Sequence, residues 1–241
     1  MQHRPLLPGF GRAATFAAAF IASTGFADCA SYTASRAGTL GGNVSGILGS
    51  SRRPVPRPTL DAILSAAHGT YIDRVIADRD SVVERWSDHI DQPIRVWIDS
   101  SATILAGQEG FPAAVRGAFA EWASTGIPLT FVYVGSARDA DVRVRWTSHL
   151  DHKTGSTTWR TDRNGWLSSG DITLATHISD GQVLDTRGMR AIALHEVGHA
   201  LGLAHSANVQ DIMAPLVHVD GLSIVDRNTI KLLYSLQAGH L

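Results

Sequence analysis

Residues 195–205 read His-Glu-Val-Gly-His-Ala-Leu-Gly-Leu-Ala-His, three imidazoles, one carboxylate and two glycines in one short run. His195 and His199 are four apart, so a helix sets them one turn apart on the same face. Two neutral imidazoles so placed bind one Zn²⁺. Leu194, Val197 and Leu201 project together, roughly opposite the histidines, and give that helix a stripe to bury. Glu196 lies about 100° around the helix from His195, within reach of a water at the metal. It reads as a general base rather than a ligand. Gly202 accepts the left-handed conformation that ends a helix and turns the chain. The turn returns His205 as a third ligand from another direction. Three protein ligands leave a fourth position open, as in catalytic rather than structural zinc sites. A bare His-Glu-x-x-His pair also fits a buried helix with satisfied core histidines; the added glycine and third histidine separate the two.

Downstream, residues 211–215 read Asp-Ile-Met-Ala-Pro. With the run above, this resembles the metzincin signature HExxHxxGxxH and its methionine turn. Ser206 after the third histidine, and Pro215 two residues after Met213, resemble the matrixin branch. The resemblance implies a zinc endopeptidase with His195, His199 and His205 as metal ligands and Glu196 as catalytic base. It places Met213 beneath the metal without binding it. It also implies that the loop 216–221, with His218 and Asp220, walls the pocket for the substrate side chain just after the cut bond. Pro215, Leu216 and Val217 make that wall apolar, which suggests a preference for an apolar side chain.

The resemblance extends loosely upstream to residue 86. Residues 94–98 start as an alternating half-buried strand. Residues 111–124 read as a helix with Phe111, Val115, Ala118, Phe119 and Trp122 as its apolar stripe. Residues 129–134 and 141–146 are further strands, the latter in strict alternation, and Ala-Asp-Val-Arg-Val-Arg-Trp at 140–146 resembles the third strand of matrixins. Residues 159–160 and 171–175 supply the remaining strands. In metzincins the strand before the active helix forms the upper rim of the cleft, with an edge able to pair with an extended peptide. A last helix is expected over about 223–236, with Ile224, Ile230, Leu233 and Leu236 inward, and no further binding domain is expected. The expected fold is α+β, zincin-like: a twisted, mostly parallel sheet of about five strands, an active-site helix, a second packing helix and a C-terminal helix. Asp185 or Thr186 is placed to cap the active helix.

Matrixins also carry a structural zinc held by three histidines and an aspartate. His149 and Asp151 have the spacing of its first pair. Its later histidine falls at position 173, which is threonine, and His177 lies four residues on. A tetrahedral site needs all four ligands, so one catalytic zinc is expected and the segment around His149, Asp151 and His152 reads as a polar, solvated loop. Nothing indicates calcium.

Residues 1–27 read as a secretory signal: His3, Arg4 and Arg12, a short apolar run at 13–21, then Gly25-Phe26-Ala27 before Asp28. The run is too short to be a stable membrane anchor, so a secreted or periplasmic protein is expected. Residues 28–85 read as a linker or pro-segment with a helical part at 59–85. It is rich in Gly, Ser and Thr, then stiffened by prolines at 54, 56 and 58. Residues 86–241 read as the catalytic domain that the resemblance implies. The cysteine latch of matrixin pro-segments, Pro-Arg-Cys-Gly, is absent, and the single cysteine, Cys29, excludes an intrachain disulfide. The formal net charge of −1 gives no footprint for nucleic acid or an anionic membrane. The expected protein is a monomer acting on protein or peptide. The alternatives are a zinc hydrolase of cell-wall peptide amides, a non-catalytic zinc-binding module, and a metal-free apolar-pocket binder. Glu196 argues against the module, since a structural site has no use for a base.

Overall fold

A computed structural model describes residues 60–100, 108–178 and 181–240. The expected signal segment, the linker up to residue 59 and Cys29 lie outside the described residues. The order of elements is α1 (Leu60–Ala66), α2 (Ile72–Ala77), β1 (Val82–Val83), β2 (His89–Ile98), α3 (Phe111–Ala123), β3 (Leu129–Tyr133), β4 (Val142–Thr147), β5 (Gly155–Thr161), β6 (Leu167–Ala175), α4 (Thr186–Ala200), α5 (Ile224–Ser235) and β7 (Gly239–His240).

Five strands form one sheet in the order β3-β2-β4-β6-β5. β3, β2, β4 and β6 are parallel; β5 runs antiparallel to β6 at the edge. This is the mostly parallel α+β architecture expected from the sequence. β4 shows why alternation is readable. Val142, Val144 and Trp146 are buried, while Arg145 on the other face meets Asp171 of β6 at 2.8 Å.

Several features differ from the sequence reading; one is Ile224, read as inward on the last helix but exposed at the start of α5, where Ile230 and Leu233 are the buried positions. The stretch read as helical over 59–85 forms, from residue 60 on, two short helices and a strand; Gly69, at φ +75°, lies in the turn between the helices. β1 pairs with β7 near the chain's end, a two-residue ladder with no periodic signal. Residues 171–175 belong to β6, which is flanked by β4 and β5. The sheet edge next to the active helix is therefore β5, not the strand immediately before that helix.

The core is continuous from α1 to α5. Ile63, Tyr71, Ile72, Val75 and Ile76 join the same buried cluster as α3, α4 and the sheet, so the packed unit begins before residue 86. α4 is buried around most of its circumference, not on one stripe. Polar groups of its own carbonyl ends are met by aromatic donors: Trp86 Nε1 reaches Ala200 O at 2.9 Å and the Tyr234 hydroxyl reaches Leu201 O at 3.0 Å. Those carbonyls have no partner within the helix, so buried donors must come from elsewhere.

Candidate metal centre

α4 starts at Asp185, whose carboxylate accepts from Gly188 N at 2.6 Å. Its end is set by Gly202 at φ +103°. Leu203 N donates to Gly198 O at 3.0 Å and Gly202 N to His199 O at 3.0 Å, the paired bonds of a Schellman termination. The turn swings His205 back against the helix. An added Cβ at Gly202 would also stand 2.3 Å from Glu84 O. Gly202→Ala therefore combines left-handed strain with a backbone collision, and we expect it to lower unfolding free energy by about 2–4 kcal/mol in urea melts.

The three histidines meet through their Nε2 atoms. His199 Nε2 lies 3.1 Å from His195 Nε2 and 3.2 Å from His205 Nε2. Two rings have their other nitrogen committed: His195 Nδ1 donates to Ile212 O at 2.8 Å and His199 Nδ1 to Leu203 O at 2.9 Å. In the neutral imidazole those bonds leave the Nε2 lone pairs facing one another. Burial pushes the His195 imidazole down to about 4, against its bond to Ile212. Burial likewise lowers His199 strongly, with His195 and His205 adding to it, and lowers His205. Converging lone pairs on neutral rings repel unless a cation lies between them. Two nitrogens bound to a tetrahedral Zn²⁺ at about 2.0–2.1 Å stand about 3.3 Å apart, close to the spacing here. The donor set fits zinc. Among the described residues, this trio is the one group of three or more His, Cys, Asp or Glu ligand atoms within 4.8 Å of one another.

Glu196 is buried on the same helix. Its Oε2 accepts from the Thr157 hydroxyl of β5 at 2.6 Å. Burial raises its carboxyl to about 7, with the Thr157 bond and Lys153 acting in the opposite direction. An added Cβ at Gly155 would stand 2.3 Å from Glu196 Oε1.

Met213 is fully buried and its sulfur occupies the space beside Gly198; an added Cβ there would stand 2.4 Å from it. Gly198→Ala should cost about 1–3 kcal/mol through overpacking, measured by thermal unfolding. The turn around Met213 also orients a histidine, because the carbonyl that holds His195 Nδ1 belongs to Ile212. Ile212 N in turn donates to Asp226 Oδ2 at 2.8 Å, and Tyr71 donates its hydroxyl to Asp226 Oδ1 at 3.0 Å. A chain of bonds thus runs from Tyr71, just before α2, through Asp226 and Ile212 to His195. Val217 is buried in the core, Pro215 is half-buried and Leu216 is exposed. His149 stacks on His177 with ring centroids 5.0 Å apart, while Thr173 sits in β6 opposite Ser156 and Arg145.

Gly155, Thr157, Gly198, Asp226 and Tyr71 also shape the site and are not among the residues that the sequence pattern singles out. Each acts across elements distant in sequence. Only Gly198 carried a local signal, a small residue facing the inner side of a helix that has to admit a methionine.

Residues 86–235 match the family model for Matrixin (Peptidase_M10). The chain is 38% identical over 111 residues to matrix metalloproteinase-19 of Homo sapiens, covering 43% of the chain and 21% of that protein. It is 26% identical over 124 residues to metalloendoproteinase 1 of Glycine max, covering 44% of the chain and 38% of that protein. The chain thus spans well under half the length of these relatives.

Proposed function

Because the chain belongs to the matrixin family of zinc metallopeptidases, we propose that it is an endopeptidase whose zinc is held by His195, His199 and His205. The observation that carries this reading is the convergence of three Nε2 atoms, at 3.1 and 3.2 Å, beside a buried carboxylate. Zinc held by these three imidazoles would supply a Lewis acid able to polarise a peptide carbonyl and acidify water.

The chain's own residues do the rest. Ile212 O and Leu203 O hold two imidazoles as neutral Nε2 donors. Glu196 receives a proton from the attacking water at its carboxylate and returns it to the leaving amine nitrogen. The edge of β5 offers main-chain groups to an extended peptide, which fits a protein or peptide substrate. Pro215, Leu216 and Val217 supply the apolar wall of the pocket after the cut bond.

The N-terminal run 1–27 supports export by a signal peptide. Among the described residues no helix is long and apolar enough to cross a membrane. The catalytic unit takes in the packed segment from α1 onward as well as residues 86–241.

Chelation tests this reading. The full chain should cleave unstructured protein such as casein, lose that cleavage with 1,10-phenanthroline, and regain it with added Zn²⁺. Cleavage that persists in chelator would contradict it.

A further inference from the structure

Gly155 and Thr157 are two apart on β5, so both side-chain directions face the same side of the edge strand. That side meets α4 at Glu196. Gly155 brings bare backbone against the carboxylate: the place of its missing Cβ lies 2.3 Å from Oε1 and 2.6 Å from Cγ. Thr157 donates its hydroxyl to Oε2 at 2.6 Å, and the Glu196 main-chain oxygen lies 3.0 Å from the same hydroxyl. Glu196 is 5% exposed, and Thr157 is the one side-chain hydrogen-bond partner seen on its carboxylate among the described residues. A glutamate side chain with three rotatable bonds has no fixed position of its own. Here one strand position makes room for it and the next position on that face fixes its rotation.

We propose that Thr157 is a positioning residue for Glu196 and that Gly155 is the space that lets it act. The inference rests on the reading of Glu196 as the base. The same strand lies at the sheet edge, so the carboxylate is set relative to the backbone that would receive a peptide. A base displaced by about 1 Å loses up to about 10²-fold in rate, which sets the size of the expected effect.

The test uses the full chain with Thr157→Val, Thr157→Ser and Gly155→Ala. Thr157→Val should lower kcat about 10–100-fold with KM changed less than about twofold and one zinc retained. Thr157→Ser, which keeps the hydroxyl, should stay within about threefold of the parent. Gly155→Ala should resemble the valine variant. A second readout needs no activity. In zinc-free protein, Thr157→Val should lower the melting temperature by about 3–10 °C when Glu196 is present and by under about 1 °C in a Glu196→Ala background. Equal shifts in the two backgrounds, or a serine variant as impaired as the valine one, overturn the proposal. If the parent protein cleaves nothing, the endopeptidase reading fails, and the melting cycle still decides whether Thr157 holds Glu196.

Discussion

With Glu196 replaced by alanine, the full chain keeps one zinc and its peptide cleavage falls by about 10²–10⁴-fold. Glu196 is adjacent to His195 but contributes no atom to the histidine cluster. Removing its carboxylate therefore leaves the three nitrogens in place. What disappears is the group that takes the proton from water and delivers it to the leaving nitrogen. The fall should be in kcat, with KM little changed, because the carboxylate acts on the reacting atoms and not on the rest of a bound peptide. Metal analysis beside steady-state kinetics checks both halves. Loss of zinc along with activity would make Glu196 a structural element of the site, and retained turnover would remove it from the mechanism.

Deleting residues 1–85 leaves the family-matched region untouched and should nevertheless abolish stable folding. The segment buries Ile63, Ile72, Val75 and Ile76 almost completely. Each such side chain contributes about 1.5–3 kcal/mol when fully buried, so their sum is on the order of a whole domain's net stability. The deletion also takes the Tyr71 hydroxyl from buried Asp226, which holds Ile212, whose carbonyl holds His195. β7 loses its partner β1. Deleting only residues 1–59 should leave melting within a few degrees of the parent, since those buried groups all remain. Circular dichroism melts of the two deletions decide the matter. A chain starting at residue 86 that melts with the parent would show that the segment is accessory.

Much of α4 was legible because its chemistry is local. Ligand spacing of four along a helix, then glycine, then histidine, is a geometric demand within one turn and one cap, and a sequence displays it directly. The strand at 141–146 was legible for the same reason, since alternation of Val142, Val144 and Trp146 with arginines is a local pattern. The contacts that tune the site were not. Thr157 lies 39 positions from Glu196, and nothing in a Gly-Ser-Thr triplet says which helix it will face. The apolar spacing of the N-terminal segment fits a linker with helical character, while the bonds that make it part of the core run from Tyr71 to residues 226 and 229. The sequence of α4 itself reads as a helix with one buried stripe. The sheet on one side and α3 on the other bury it almost all round, which periodicity within the helix does not reveal.

X-ray absorption at the zinc edge on the purified full chain tests the central proposal most directly. One zinc per chain, with three imidazole nitrogens at about 2.0–2.1 Å and a single further light-atom ligand, is the predicted result. A chain that takes up no zinc when it is supplied, or a zinc whose neighbours are sulfur or carboxylate oxygens in place of three imidazoles, would contradict it.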